Sequence, residues 1–193
     1  MSWLYGFGRV EEEELNRRRF IKLGASAALA GLMPEWVWAA IENPPSRERS
    51  LSLYETHTCE SLTTLYWAEG VYLPEALADI NYILRDWRTN EIKPIDTQLL
   101  DLVYALGLKL EAKQPFHVIS GYRSPQTNAL LHAKNKGVAK KSLHVYGKAI
   151  DLRLPKCSLS KLRCVAVSLK GGGVGYYPRP NFVHVDVGRV RYW

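Results

Sequence analysis

The sequence contains little cysteine and no concentration of proline or glycine, and these shortages exclude several classes of protein. Its 193 residues include 3 cysteines, 10 prolines and 14 glycines, and no period repeats, which excludes a solenoid, a collagen-like chain and a low-complexity chain. The three cysteines form no CxxC motif and at most one disulfide bridge, which excludes a disulfide framework and a zinc finger; they are Cys59, Cys157 and Cys164. We expect each thiol to be a small buried or half-buried side chain. With 47% hydrophobic and 23% charged residues, the composition is typical of one folded core.

Long hydrophobic runs are also absent from the sequence. The uncharged run over residues 23–33 is too short to span a bilayer, and it follows the basic segment Asn16-Arg-Arg-Arg-Phe-Ile-Lys22. This arrangement resembles the twin-arginine export signal, Ser/Thr-Arg-Arg-x-Phe-Leu-Lys, with Asn16 and Ile21 in place of the usual residues. It predicts export to the periplasm by the twin-arginine translocase. The alternatives are a basic-flanked amphipathic anchor and an ordinary buried helix.

A cleavage site and a linker follow the predicted signal. Val37-Trp-Ala39 supplies a small-residue cleavage site, and residues 42–50 combine two adjacent prolines with no apolar periodicity, which is typical of a linker. The sequence therefore predicts three segments, which are a signal peptide over 1–39, a linker over 40–50 and a folded domain over 51–193. Cleavage of the signal leaves no stable membrane span.

Positive charge is in moderate excess, since 26 Lys and Arg residues oppose 19 Asp and Glu residues for a net charge of +7. This balance favours anionic surroundings but does not distinguish nucleic acid from anionic lipid or an acidic cell-wall polymer. Nucleic-acid binding needs basic residues interleaved with exposed aromatic residues and a cytoplasmic location, and the export signal argues against that class. We therefore expect no nucleic-acid partner.

The apolar patterning predicts an α+β fold, because the strand and helix patterns do not strictly alternate along the chain. Helices are expected to begin at Pro74, after a cap at Asp96, at Pro125 and at Ser158, and the helix from Pro125 is expected to end at Gly137. The predicted strands cover residues 51–57, 62–67, 116–119, 148–154 and 182–187.

Two segments carry residues that fit a metal site. In the first, His144 precedes Asp151 by seven positions, and Gly147 lets the chain bend so that both side chains point at one spot. In the second, strand alternation places His184 and Asp186 on the same face. Two histidines and one carboxylate are the typical ligands of catalytic zinc, and His144, Asp151 and His184 match that set.

Three separated motifs carry a family resemblance. They are Ser-x-His-x-x-Gly-x-Ala-x-Asp at 142–151, Ser-Gly-Tyr-Arg-Ser at 120–124, and Gly-Gly-Val-Gly-Tyr-Tyr-Pro at 172–178 followed by Phe-Val-His-Val-Asp at 182–186. In this order they resemble the LAS metallopeptidases, which group lysostaphin-type enzymes, D-Ala-D-Ala metallopeptidases and hedgehog signalling domains. The chain is most similar to the YcbK-like murein endopeptidase branch of that family.

The resemblance implies a zinc hydrolase of peptidoglycan peptides, with a small antiparallel sheet that carries the zinc site and helices packed around it. It assigns substrate binding to Arg123, whose planar guanidinium matches a carboxylate of the stem peptide. We also expect Ser142 and Tyr177 to bind substrate; Tyr177 follows a glycine run and could donate to the tetrahedral oxyanion, the alternative being a packing role. The resemblance assigns the zinc ligands to His144, Asp151 and His184. Which cross-link is cleaved stays open.

The general base departs from the family pattern. Many D-Ala-D-Ala peptidases of the family place Glu or Asp three residues before the last ligand, where this chain has Asn181. Two assignments follow: His184 binds zinc while Asp186 accepts the proton, which we prefer, or Asp186 binds zinc while His184 acts as acid and base. The missing acid also leaves a rival hypothesis, a non-catalytic peptidoglycan-binding module that retains the metallopeptidase fold.

Overall fold

The computed structural model describes residues 47–135 and 137–193, which form eight strands and four helices. The strands are β1 (Glu48–Glu55), β2 (Ser61–Ala68), β3 (Val71–Tyr72), β4 (Phe116–Ser120), β5 (Ala149–Arg153), β6 (Gly173–Tyr177), β7 (Phe182–Asp186) and β8 (Arg191–Tyr192). The helices are α1 (Pro74–Ile83), α2 (Thr97–Lys109), α3 (Pro125–Lys134) and α4 (Leu159–Leu169). The predicted export signal lies outside the described residues, and none of the helices in the described part has the length and apolar character to cross a bilayer. The predicted α+β class is confirmed.

All eight strands belong to one sheet, in the order β3-β2-β1-β4-β5-β7-β6-β8. The pairs β1–β4 and β6–β8 are parallel, and the other pairs are antiparallel. The sequence predicts a small antiparallel sheet, whereas the observed sheet is large and mixed. One reason is that the chain between β1 and β4 contains β2, β3, α1 and α2, and a long crossover of this kind allows the two strands to lie parallel. The other is that β3 and β8 have two residues each, too few to give an alternating pattern.

The helices bury their apolar faces against the sheet and against each other. α1 contacts β2, α2 contacts β1 and α4, and α4 contacts β6 and β7. Ile80 of α1 and Leu99 and Leu106 of α2 are fully buried in one continuous hydrophobic cluster, as their three- and four-residue spacing predicts. Burial of this apolar surface is the main force that holds the layers together.

The helix ends follow local hydrogen-bonding signals. The Asp96 side chain caps α2 by accepting a backbone hydrogen bond of 3.0 Å, which confirms the predicted cap. α1 ends at Ile83, although its apolar pattern continues to Trp87. The Leu84 amide still donates to the Ile80 carbonyl, but the Arg85 amide donates to the Tyr82 carbonyl at 3.2 Å. Beyond this tighter turn the Asp86 carboxylate accepts a backbone hydrogen bond of 3.0 Å from Arg88, a local bond of the kind that competes with a helix.

A buried polar network joins α2 to the part of the sheet that lies far from β7. Asp101 of α2 accepts hydrogen bonds from Arg49 (2.8 Å), Tyr66 (2.8 Å) and Tyr72 (2.7 Å). Because a buried carboxylate without such partners is costly, these bonds fix the position of α2 against β1, β2 and β3. The start of α2 is in turn bonded to the loop that carries His144, as described below.

The cysteines differ in part from expectation. All three are free thiols, and Cys157 is half-buried as predicted. Cys59 and Cys164 are exposed instead, because Cys59 occupies a turn in the left-handed region (φ 59°) and Cys164 lies on the outward side of α4.

Candidate functional site

His144 is positioned by a short 3-10 turn between α3 and β5. The turn covers Leu143–Tyr146 and ends at Gly147, which has the left-handed conformation (φ 65°). A side chain at Gly147 would collide with the backbone of Pro94, so glycine is required at the bend. The Gly147 carbonyl also accepts a hydrogen bond of 2.9 Å from the Asp96 amide. The start of α2 therefore fixes the turn that carries His144.

The other two residues of the predicted metal set lie on neighbouring strands. β5 and β7 are antiparallel, and Asp151 is paired directly with His184. Side chains at directly paired positions project to the same face of a sheet. Strand pairing therefore brings these two side chains together, although they are 33 positions apart in the sequence.

Three ligand atoms converge at one point. His144 Nε2 lies 3.2 Å from His184 Nδ1 and 3.3 Å from Asp151 Oδ1. His184 Nδ1 lies 2.8 Å from Asp151 Oδ1. Ligand atoms around a tetrahedral zinc with bonds of about 2.1 Å lie about 3.4 Å from each other. The exposed fraction is only 1% for His144, 3% for Asp151 and 9% for His184. The cluster therefore has nearly the spacing that a tetrahedral metal requires.

The hydrogen bonds of the two imidazoles determine which nitrogen faces the cluster. His144 Nδ1 donates to the Gly121 carbonyl oxygen at 2.7 Å, so Nε2 of the neutral ring carries the free lone pair. His184 Nε2 donates to Asp186 Oδ2 at 2.9 Å, so Nδ1 of the neutral ring carries the lone pair, whereas a protonated Nδ1 would donate to Asp151 Oδ1 at 2.8 Å. Two nitrogen lone pairs and one carboxylate oxygen therefore face each other. A cation satisfies such a set of acceptors.

Burial and mutual contact determine the charges in the cluster. Burial lowers the pKa of His144 and favours its neutral form. Burial alone would raise the pKa of Asp151, but the neighbouring His144 and His184 rings hold it well below its usual range. Burial alone would lower the pKa of His184, but its hydrogen bonds to Asp151 and Asp186 raise it. The cluster thus keeps an ionised carboxylate, which attracts a cation.

Asp186 lies behind His184 rather than in the open site. Its Oδ1 accepts hydrogen bonds from the Gly173 amide (3.0 Å), the Gly188 amide (2.8 Å) and Arg191 Nη1 (3.0 Å). Its Oδ2 accepts from His184 Nε2 (2.9 Å) and Arg191 Nη2 (2.7 Å). Burial would raise the pKa of Asp186, but these bonds hold it well below the usual range. With 0% exposure and five bonds accepted, this carboxylate lies against the outer nitrogen of His184, where it can orient the ring, and its role as the general base stays a prediction.

Arg123 is bonded to the predicted ligand Asp151. Its Nη2 donates to Asp151 Oδ2, and its Nε donates to Ser120 Oγ at 2.8 Å. No residue in the described part of the chain accepts a hydrogen bond from its Nη1. The guanidinium therefore fixes the second oxygen of Asp151 and keeps one donor group for another partner.

The cluster opens into a cavity of about 630 Å³. Ser142 and Tyr177, both assigned to substrate binding by the sequence, line this cavity with Arg123. Asn181 does not line it. Among the described residues that do, Asp151 is the only carboxylate. Among its described residues the cavity therefore contains the three predicted binding residues, and its one carboxylate is that of the candidate metal ligand Asp151.

Two cavity residues were not found by the sequence analysis. Arg191 and Trp193 both line the cavity. Arg191 lies in the two-residue strand β8, and Trp193 comes directly after it. This strand follows β7 in the sequence and lies next to β6 at the edge of the sheet. Neither residue belongs to a motif, and β8 is too short to give a periodic signal. Only the parallel pairing of β8 with β6 brings them to the site.

Comparisons with known proteins identify the family. A family model in the peptidase M15 group, described as peptidoglycan L,D-endopeptidase MepK, matches residues 43–193. The chain is 42% identical over 184 residues to the peptidoglycan L,D-endopeptidase MepK of Escherichia coli strain K12, and the match covers 95% of this chain and 100% of that protein. The protein of the same name from Shigella flexneri has the same identity and coverage. The probable peptidoglycan L,D-endopeptidase MepK of Haemophilus influenzae is 38% identical over 179 residues, covering 92% of this chain and 95% of that protein. The chain therefore belongs to the MepK family of M15 peptidases.

Proposed function

We propose that the protein is a zinc-dependent peptidoglycan endopeptidase that hydrolyses L,D peptide bonds in the cross-links of the cell wall. The observation that carries this proposal is the convergence of two imidazole lone pairs and one carboxylate oxygen at the end of an open cavity. The relatives named as peptidoglycan L,D-endopeptidases match along almost the whole chain, which supports the same substrate.

His144, Asp151 and His184 are the residues that would hold the metal. A zinc ion held there would supply Lewis acidity, because it would acidify water and polarise a carbonyl oxygen. The Gly121 carbonyl and the Asp186 carboxylate each hold one imidazole with its lone pair directed into the site. These outer contacts fix the ligands before the metal arrives, which strengthens metal binding.

The remaining cavity residues bind and orient the peptide. The Nη1 group of Arg123 has a donor free for a substrate carboxylate, and murein stem peptides end in carboxylates. Ser142 and Tyr177 add hydroxyl groups that can bond to a peptide carbonyl or amide. Such groups raise the rate by holding the reacting bond in register.

A second candidate function is a peptidoglycan-binding module without hydrolytic activity. The observation in its favour is the cavity lining, in which Asp151 is the only carboxylate among the described residues. Such a module would bind muropeptides, and it would retain metal, but it would release no cleavage products.

Digestion of purified cross-linked muropeptides tests both candidates. We expect the protein to contain about one zinc ion per chain and to convert dimers with L,D cross-links into monomers, identified by mass. His144→Ala and Asp151→Ala should lose both metal and activity, whereas the matched control His57→Gln, outside the cavity, should lose neither. Binding of muropeptides without any cleavage supports the second candidate. Full metal occupancy in both alanine variants contradicts the ligand assignment.

We also infer that the protein reaches the periplasm by the twin-arginine route. The supporting observations are the segment Arg17-Arg-Arg-Phe-Ile-Lys22, the short uncharged run behind it, and relatives whose names place their substrate in peptidoglycan. These residues lie outside the described part of the chain, and the translocase is the partner that the inference requires.

A further inference from the structure

The indole of Trp193 is fixed against the sheet beside the candidate metal ligand His184. Its backbone amide donates to the Val174 carbonyl at 3.2 Å, and its carbonyl accepts from the Tyr176 amide at 3.0 Å. A Cβ atom at Gly175 would lie 2.7 Å from the indole, so this position accommodates no side chain. The ring centroid lies 5.3 Å from that of His184. Glycine in β6 therefore lets the indole lie against the strand at the edge of the site.

Trp193 also determines the direction of the Tyr177 hydroxyl. The indole Nε1 donates a hydrogen bond of 2.8 Å to Tyr177 Oη. An indole N–H can only donate, so the phenol oxygen is the acceptor and its own hydrogen must point elsewhere. No described residue accepts that hydrogen. The Tyr177 ring is held from another side by Phe182, at a centroid distance of 4.6 Å.

We propose that Trp193 is a positioning residue that fixes Tyr177 as a hydrogen-bond donor to an oxygen atom of the peptide substrate. Tyr177 and Trp193 both line the cavity that contains the metal cluster, so a peptide that occupies it meets the phenol hydrogen. Donation from the indole also polarises the phenol and strengthens its own O–H as a donor. The oxygen it binds is a carbonyl or a carboxylate, the two acceptors that a stem peptide offers. This proposal rests on the proposed function.

A double-mutant cycle tests the proposal through kcat and KM on a cross-linked muropeptide. Tyr177→Phe removes the donor and should lower kcat/KM about tenfold, and Trp193→Phe should cause part of that loss, about threefold. If Trp193 acts through Tyr177, the double variant should be no slower than Tyr177→Phe alone. The matched control is Trp87→Phe, because the Trp87 indole N–H has no partner among the described residues and lies outside the cavity. That control should leave kcat/KM unchanged. Losses that multiply in the double variant overturn the proposal.

A binding measurement separates this proposal from the proposed function. The indole N–H resonance of Trp193, assigned by its absence in Trp193→Phe, should shift in Tyr177→Phe and on addition of an uncross-linked stem tetrapeptide, which presents no cross-link to hydrolyse. If muropeptides are not cleaved but this resonance shifts in both experiments, the hydrolytic function fails and the role of Trp193 stands. If muropeptides are cleaved and the resonance does not respond to Tyr177→Phe, the role of Trp193 fails and the hydrolytic function stands.

Discussion

Each histidine of the candidate metal site is oriented by the partner of its second ring nitrogen. For His144 that partner is a backbone carbonyl, which no side-chain substitution removes. For His184 it is Asp186, whose other contacts are Arg191 and two backbone amides. The orientation of His184 is therefore the part of the site that a single side-chain change can alter.

We predict that Asp186→Asn weakens metal binding about 10- to 100-fold, the usual effect of losing an outer-shell partner of a metal ligand. The amide replaces one acceptor oxygen with an NH₂ group, which then faces His184 or Arg191 and satisfies neither donor. Metal affinity is measured by competition with a chelator. Asp79→Asn, an exposed change on α1, is the control for loss of one negative charge and should bind metal normally.

Two other results would assign Asp186 differently. If metal affinity is unchanged while kcat falls by about 10²–10⁴, Asp186 accepts a proton as the general base. If Asp186→Asn abolishes metal binding while His184→Gln retains it, Asp186 is itself the ligand. The positions of both residues favour neither result, because Asp186 does not line the cavity.

The sequence predicts the members of the cluster better than their contacts. The His144–Asp151 spacing and the alternation in β7 place the right residue types together, because bends and strand periodicity are local properties of the chain. The partners of those residues give no such signal. The Gly121 carbonyl reaches His144 across 23 positions, and Arg191, which follows Asp186 by five positions, belongs to no motif and lies in a strand of two residues. No pattern within a single segment encodes such contacts.

The connection between β4 and α3 is the element that presents Arg123, and Asp86 anchors it from outside. The Asp86 carboxylate accepts hydrogen bonds from the Ser124 amide (2.8 Å) and the Arg88 amide (3.0 Å). Ser124 in turn caps α3 with its hydroxyl, which accepts from the Thr127 amide at 3.1 Å. Burial would raise the pKa of Asp86, but its hydrogen bonds lower it.

We predict that Asp86→Asn lowers the free energy of unfolding at neutral pH, and that this loss shrinks in acid. Because the folded-state pKa of Asp86 lies below its value of about 3.9 in the unfolded chain, the carboxylate stabilises the fold fully above about pH 5. That contribution disappears as the pH falls through the lowered pKa. Urea unfolding of both proteins at several pH values measures the difference. Asp79→Asn is the control, and a constant difference between Asp86→Asn and wild type from pH 7 to pH 2 would contradict the role of Asp86.

Several helices and strands can be predicted from the sequence alone, whereas the ends of others depend on contacts that form only in the folded chain. α2 and its Asp96 cap, α4 and the strands around the site have enough residues for a periodic signal. α3 stops at Lys134, three residues before the Gly137 expected to end it, because local hydrogen bonds of Asn135 take over there: its side chain accepts from the Gly137 amide at 2.9 Å. Local hydrogen bonds override periodicity at such ends.

For the whole molecule, we predict that the combined change Arg17→Lys and Arg18→Lys retains the precursor in the cytoplasm. The twin-arginine translocase recognises the arginine pair, and lysine keeps the charge but not the planar guanidinium. Fractionation and immunoblotting measure the distribution. The control is Arg47→Lys, an equally conservative change at an exposed residue beyond the signal. An unchanged periplasmic yield of the double variant would exclude this route.

The strand order has a consequence for how the chain folds. β7 lies between β5 and β6 in the sheet but follows β6 directly in the sequence, so β6 and β7 form a local hairpin, whereas β5 and β7 must close a loop that contains α4 and β6. Short loops close faster than long ones. The hairpin therefore forms early and contains both His184 and Tyr177. The pairing of His184 with Asp151 of β5 forms later. The three candidate ligand atoms meet only when this hairpin docks, so a metal ion that binds them would report the completion of folding.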